Sequence, residues 1–262
     1  MSEFLGKVAV ITGSTSGLGL EIAKTFAKAH ANLVINGFGT KEDIENTVNH
    51  LKPLGDGEVV YCPADLTKES EVEKLIQYAN DSLGAIDILI NNAGIQYVSP
   101  IDQFPTDKWD QVLALNLTAA FHTIKGALPF MRKKNFGRII NIASTQGVIA
   151  SVEKAAYVAA KHGIIGLTKV VALETAKENI TCNAVCPGFM LTPLVEAQIR
   201  AKMELSGRSF EEESEAFVSG KHPSGKFVSL LEVAQMCLFL ANPGSSEIRG
   251  AQMIIDGGWT VP

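Results

Sequence analysis

Tyr157 stands between two lysines, Lys154 three residues before it and Lys161 four after it, in the stretch SVEKAAYVAAKHG (residues 151–163). An ordinary phenol, with a pKa near ~10, is a poor base at neutral pH. A neighbouring ammonium favours its phenolate form. Such a group can take a proton from an alcohol as hydride leaves the adjoining carbon, or return it when a carbonyl is reduced. At about 100° per residue, a continuous helix would hold Lys154, Tyr157 and Lys161 within an arc of about 60°. A stripe of surface lysines would share that spacing. Ala155, Ala156, Ala159 and Ala160 surround the triplet, however, and small residues suit a packed helix. The pattern points to acid–base chemistry at an alcohol or carbonyl.

A second cluster lies near the N-terminus: Thr12-Gly13-Ser14-Thr15-Ser16-Gly17-Leu18-Gly19. It follows the first apolar run and opens the first amphipathic one. Glycines in that position let the chain turn tightly and approach a pyrophosphate, and the helix N-terminus offers free N–H groups to it. The second apolar run ends in Asn36-Gly37-Phe38-Gly39. It has neither the acid that would bind an adenosine 2′-hydroxyl nor the arginine that would accept a 2′-phosphate. With no arginine, NAD is the expected dinucleotide; Lys41 keeps NADP open. Asp65 could accept a hydrogen bond from an adenine amino group, or serve as a cap in Asp65-Leu66-Thr67.

These residues need a frame. Strand candidates fall at 7–12, 32–36, 58–64, 86–91, 137–143, 180–185 and 252–256. Most are apolar without strict alternation, as strands buried on both faces of a parallel sheet should be. Helical patterns separate them at about 17–30, 41–52, 68–83, 106–133, 154–177 and 229–241. That rhythm predicts an α/β fold: one doubly wound Rossmann-type domain over 1–262, with a seven-stranded parallel sheet. Between Thr192 and Phe227 there is no strand candidate. That segment is charged and glutamate-rich, and it is expected to form two helices as a lid over the site.

Composition narrows the class. The chain has 262 residues, 46% of them hydrophobic, a net charge of −5 and a pI of about 5.6, so a nucleic-acid surface is not expected. The N-terminus lacks a basic region followed by an apolar run, and no segment reads as a membrane span, so a cytoplasmic location is expected. The four cysteines, Cys62, Cys182, Cys186 and Cys237, lack zinc-site spacing and read as reduced thiols; no metal is expected.

Together, Tyr157-x3-Lys161, the glycine turn at 12–19, Asn91-Asn92-Ala93-Gly94 and Ser144 resemble the short-chain dehydrogenase/reductase family, from the first strand to Asp256-Gly257-Gly258. The resemblance implies a catalytic tetrad of Asn116, Ser144, Tyr157 and Lys161. It implies a dinucleotide site drawn from Gly13, Thr15, Ser16, Gly17, Leu18, Gly19, Phe38, Asp65, Leu66, Asn92, Ala93, Gly94, Tyr157, Lys161, Pro187, Gly188 and Thr192, with Asn91 lining the cleft. Alone, Ser144 could be a capping residue and Asn116 a helix-kink residue. Within the family, NNAGIQ, FPTDKW, ITCNAVCPG, TPLVEAQI and IDGGWT resemble the bacterial 3-hydroxybutyrate dehydrogenases. That likeness implies interconversion of (R)-3-hydroxybutyrate and acetoacetate with NAD, by a homotetramer.

The tetrad leaves Lys154 unexplained. An ammonium one turn before the phenol could capture a substrate carboxylate, and glutamine amides could assist without adding charge. The resemblance gives that role to Gln96, Lys154 and Gln198, with Ser144 and Tyr157 at the reacting oxygen. It has Trp259 shape the pocket. Relatives usually carry histidine where this chain has Gln146 and tryptophan where it has Phe189, so chain-length range is the open point. Competing expectations are a ketoacyl-thioester or sugar reductase, with NADPH open as its cofactor, and a non-catalytic nucleotide sensor. The first would not need Lys154, and the second would be expected to lose part of the tetrad.

Overall fold

The computed structural model describes residues 4–261; Met1–Glu3, the start of the segment read for a leader, and Pro262 lie outside them. Seven strands form one sheet: β1 Val8–Ile11, β2 Asn32–Asn36, β3 Val59–Cys62, β4 Ile88–Asn91, β5 Gly137–Ile142, β6 Ile180–Pro187 and β7 Gln252–Ile255. All six pairings are parallel, in the order β3-β2-β1-β4-β5-β6-β7. Successive residues of β1 enter opposite cores. Ala9 and Ile11 pack with Ile22 and Phe26 of α1 (Gly17–Lys28) and Val233 and Leu240 of α9 (Leu230–Ala241). Val8 and Val10 pack with Leu75 of α3 (Glu69–Leu83), Ile124 of α5 (Ala119–Lys134) and Val171 of α6 (Ala155–Glu174). Burial on both faces explains why these strands read as unbroken Val/Ile runs.

The strand order reverses between β1 and β4, and in such sheets a crevice opens there beyond the carboxyl ends of the strands. Two hydrogen bonds tie that point. The Thr12 N–H donates to the Ile90 carbonyl (3.0 Å), and the Asn92 N–H donates to Thr12 Oγ1 (3.0 Å).

The structure departs from the sequence expectations in three places. The helix expected over 106–133 is α4 (Thr106–Leu113) and α5 joined by a π turn, Ala114–Thr118, centred on Asn116. Single π turns inserted in α-helices recur at functional sites. Secondly, α6 begins at Ala155, so Lys154 precedes the helix as its N-cap, with φ −119° and ψ 33°. The three-residue arc expected on one helical face therefore holds for Tyr157 and Lys161 only. Glu153 has φ 64°, and its carbonyl accepts from the Ser99 N–H at 2.9 Å, so this turn is held by the loop after β4. Thirdly, α6 is, by its 20 residues and apolar composition, long enough to cross a membrane, contrary to the expectation that no segment would be. Its apolarity has a local cause: Ala156, Ala160, Ile164, Ile165, Val171 and Ala172 are buried against the sheet and neighbouring helices.

The segment after β6 forms two helices, α7 (Pro193–Ser206) and α8 (Phe210–Ser219), as its composition suggested. Thr192 Oγ1 accepts from the Val195 N–H to start α7, and Ser209 with Glu212 forms a capping box for α8. α2 (Lys41–Leu51) begins with another capping box, Thr40 and Asp43.

Candidate active site

The glycine turn is shaped by close approach. A Cβ on Gly19 would stand 2.1 Å from the Gly13 carbonyl oxygen, and one on Gly13 would stand 2.9 Å from Cα of Ala93. Gly17, at φ +53°, faces open space. Ser16 takes the N-cap position of α1 in extended geometry, with no side-chain cap and no acid in the first turn. The first N–H groups of a 12-residue helix thus remain available for an anion. Leu18 is buried in the core.

Around this turn the side chains are tied to protein. Asn92 Nδ2 donates to the carbonyls of Thr12 (2.9 Å) and Gly13 (3.0 Å), and the Ala93 N–H donates to Thr12 Oγ1. Asn91 points beneath the cleft, where its Nδ2 donates to Asn141 Oδ1 (2.8 Å) and its Oδ1 accepts from Thr123 (2.6 Å). Asn36 Nδ2 donates to the carbonyls of Cys62 and Ala64. Thr15 Oγ1 donates to the Phe38 carbonyl, leaving the Phe38 ring 74% exposed beside the turn. Asp65 acts as a cap: its Oδ1 accepts from the Thr67 N–H and hydroxyl, and Lys68 pairs with Oδ2 at 3.1 Å. Those Thr67 bonds are the main cause holding its carboxyl below the usual range. Leu66 is core.

At the centre of the cleft, Lys161 is buried and its Nζ donates to the Ile142 carbonyl at 2.6 Å. Burial pushes its pKa down to about 8. The ammonium lies 5.5 Å from the centroid of the Tyr157 ring. Tyr157 is half-buried; burial raises its pKa, and a hydrogen bond with the Ser144 hydroxyl acts the other way. In this protein alone, then, the phenol is not depressed by its lysine. Ser144 Oγ also accepts from the Gln146 N–H (3.1 Å), so its capping and site positions coincide. Asn116 makes a two-way bond to Ile95: Oδ1 accepts from the Ile95 N–H and Nδ2 donates to the Ile95 carbonyl, each at 2.9 Å. A Cβ on Gly94 would stand 3.3 Å from Asn116 Oδ1. Asn116 therefore fixes the loop after β4, with one lone pair on Oδ1 and one N–H on Nδ2 still free.

Beyond Tyr157 the polar groups lose their partners. Gln146 is 4% exposed, yet neither amide atom has a hydrogen bond, and buried Thr145 Oγ1 has none either. The turn that carries them lies tight on α6, because a Cβ on Gly147 would stand 2.6 Å from the Lys161 carbonyl oxygen. Lys154 Nζ sits 5.4 Å from the Phe189 ring centroid, and Phe189 stacks on Trp259 (5.0 Å, 22°). Gln96 and Gln198 are half-buried, on the loop after β4 and on α7. Among the described residues neither has a side-chain hydrogen-bond partner.

The sequence reading missed His222. It is 1% exposed; Nε2 accepts from the Phe189 N–H (3.0 Å), so Nδ1 carries the proton and donates to the Lys226 carbonyl (2.7 Å). Its ring stacks on Phe189 at 5.8 Å and fixes that side chain. A Cβ on Gly188 would stand 2.6 Å from His222 Nε2, and the Gly188 N–H donates to Ile255 at the end of β7. Pro187 closes β6 just before it. No spacing to the tetrad announced a histidine in HPSGK.

Residues 7–203 match the family model for short chain dehydrogenases. The chain belongs to that family. It is 49% identical over 254 residues to the D-beta-hydroxybutyrate dehydrogenase of Rhizobium meliloti, covering 97% of this chain and 98% of that one. It is 49% identical over 255 residues to the enzyme of the same name from Cupriavidus necator, with the same coverage. In structure it is similar to the L-sorbose reductase of Gluconobacter frateurii, solved with NADPH and L-sorbose, with a TM-score of 0.95, 29% identity and full coverage of both chains. As a short-chain dehydrogenase it is an oxidoreductase of a family that uses a nicotinamide cofactor, and the glycine cradle and uncapped α1 N-terminus fit the pyrophosphate of such a group.

Proposed function

We propose that the protein is an NAD-dependent dehydrogenase interconverting (R)-3-hydroxybutyrate and acetoacetate. The observation that carries this is a partly buried Lys154 with no carboxylate in ion-pair range among the described residues, set over the Phe189 ring three residues before Tyr157, together with a buried Gln146 amide that has no hydrogen-bond partner. The names of the relatives at 49% identity agree with it. Bound in the cleft, the dinucleotide would supply the hydride acceptor or donor.

The chain's own residues do the rest. Ser144 Oγ holds the substrate oxygen by a hydrogen bond. Tyr157 takes the proton from that oxygen in oxidation and returns it in reduction. A positive charge brought to the cleft would favour its phenolate against the burial that now holds it neutral. Lys161 contributes its ammonium beside the phenol and a donor for the nicotinamide ribose. Asn116 positions the loop after β4 and supports a water beside Lys161. Lys154 binds the carboxylate, aided by the amides of Gln146, Gln96 and Gln198, and Phe189 with Trp259 bounds the methyl end. Helices α7 and α8, within 192–227, act as the lid.

For the dinucleotide, NAD is favoured because no arginine follows β2 and Lys41 pairs with Glu45 at 3.8 Å. We place the enzyme in the cytoplasm as a homotetramer; exposed Phe121 on α5 and Val170 and Leu173 on α6 offer an apolar contact face. The deciding experiment is a spectrophotometric panel of (R)- and (S)-3-hydroxybutyrate, longer 3-hydroxy acids and neutral alcohols, each with NAD and NADP. Turnover confined to (R)-3-hydroxy acids with NAD is expected. A preference for neutral alcohols, or for NADP, would sink the respective half of the reading.

A further inference from the structure

The aromatic cluster at the substrate end is ringed by ammonium groups. Phe189, Phe217, His222 and Trp259 stack or meet edge to face, with centroids 4.8 to 5.8 Å apart. Lys154 lies 5.4 Å from the Phe189 ring, Lys221 lies 5.0 Å from the Trp259 ring and Lys202 of α7 lies 5.1 Å from the Phe217 ring. Among the described residues, none of the three has a carboxylate within the 4.0 Å of an ion pair. This concentration of unpaired positive charge occurs in a chain of net charge −5 and beside α8, whose first turn holds Glu211, Glu212 and Glu213.

The three lysines are not equivalent. Phe189 and Trp259 form one stacked pair, with Lys154 on the first ring and Lys221 on the second. The charge of Lys221 reaches Lys154 and, after burial, is the second cause that lowers its pKa. Lys202 has no such effect on Lys154. Lys221 is exposed and follows α8, while Lys154 is half-buried at the start of α6. Two like charges held near one another are relieved by an anion between them. A charge at the rim of a site mainly raises the rate of encounter, and salt screens it.

We infer that Lys221 is a specificity-determining residue: a rim ammonium that, with Lys154, draws the substrate carboxylate into the cleft from the side of α8. This rests on the proposed reaction with a 3-oxo acid. The next residue, His222, holds the position of Lys221 through its bonds to Phe189 and Lys226.

The test compares reduction of acetoacetate and of its uncharged methyl ester by wild type, Lys221→Ala, Lys221→Arg and Lys202→Ala, at low and at high salt. The expected result is a KM for acetoacetate raised about three- to fivefold in Lys221→Ala at low salt, the size of an exposed charge effect. The kcat should hold, the ester should be unaffected, and high salt should shrink the difference. Lys221→Arg should behave as wild type, and Lys202→Ala should change less than Lys221→Ala. An unchanged acetoacetate KM in Lys221→Ala, equal losses on acid and ester, or an equal effect from Lys202→Ala would each overturn the assignment. Wild type that reduces the ester but not acetoacetate would overturn the acid-substrate reading itself, and with it this inference.

Discussion

The two ends of the cleft are built on opposite principles. At the glycine turn the polar side chains are spent on the protein: Asn92, Asn36, Asn91, Thr15 and Asp65 all bond to backbone or to neighbouring side chains. What that end presents to a ligand is backbone N–H, the uncapped Ser16 hydroxyl and an exposed phenyl ring. At the other end, Gln146 and Thr145 are buried without hydrogen-bond partners, and half-buried Lys154 has only the Phe189 ring and no carboxylate among the described residues. A buried donor or acceptor without a hydrogen bond costs about 1–3 kcal/mol. A protein that leaves such groups open at one end only has a rigid scaffold for one ligand and a receptive site for another. Tyr157 and Lys161 stand at the junction.

The largest effect is expected at that junction. Tyr157→Phe removes the proposed proton carrier and should lower kcat about 10²–10⁴-fold, while dinucleotide binding measured by fluorescence titration holds. Retained turnover would remove the phenol from the chemistry. At the glycine turn the next largest effect is expected. Gly19→Ala sets a Cβ 2.1 Å from the Gly13 carbonyl oxygen, so backbone must move. Overpacking of this kind costs about 1–3 kcal/mol or more. Chemical denaturation should show that loss together with weaker dinucleotide binding, and a variant with native affinity would mean that the turn is not rigid.

The same contrast governs what the sequence revealed. All seven strands lie within two residues of their expected bounds, and β2 coincides with its own, because burial on both faces leaves an unbroken apolar run. Tyr157, Lys161 and the glycine turn stood out because their residues sit at short spacings, whereas Asn116 and Ser144 entered only through the family resemblance. The substrate end was only half legible. Lys154 stood out by its nearness to Tyr157, but the helical arc assigned to it fails, since a positive φ at Glu153 and the N-cap geometry of Lys154 depend on a contact with Ser99 far off in sequence. His222 and Lys221 reach the site through the hydrogen bond that His222 accepts from the Phe189 N–H, and through the packing of Phe189 against Trp259, contacts that no local pattern encodes. The π turn at Asn116 likewise depends on a partner, Ile95, that lies 21 residues away.

Lys161 gives the junction a pH signature. Its pKa is pushed down to about 8 by burial, against 10.5 for an ordinary lysine. Between those values the unfolded chain holds the proton more than the folded one, so this group makes unfolding harder as pH rises. The unfolding free energy of the dinucleotide-free wild type, less that of Lys161→Met, should therefore increase from pH 7.5 to 10.5, by at most about 3 kcal/mol. The subtraction removes most of the opposing contribution of the buried thiols Cys182, Cys186 and Cys237, whose raised pKa values lower stability in the same range. A flat difference would mean that the Lys161 ammonium is not strained by burial. At the receptive end, Lys154→Ala should raise the KM for acetoacetate about 10- to 100-fold, consistent with a charge-assisted hydrogen bond worth about 1.5–3 kcal/mol. The methyl ester should be far less affected, and equal losses on the two would count against a carboxylate role.

The finest test makes one chemical change at both ends. Asn92→Leu removes an amide that donates to two carbonyls of the glycine turn, and leaving those carbonyls unpaired should cost about 1–3 kcal/mol of stability. Gln146→Leu removes an amide that has no partner to lose, and its stability should stay level or rise by up to about 1 kcal/mol. Its cost should appear in binding instead, as a threefold to tenfold increase, in round terms of about 1 kcal/mol, in the KM for acetoacetate with kcat held. Opposite signs in the two melting curves would establish that polar groups at the two ends serve different masters, the fold at one and the substrate at the other. If Gln146→Leu were the more destabilising of the two, the Gln146 amide would have a structural partner, and the division between scaffold and receptor would fail where it is sharpest.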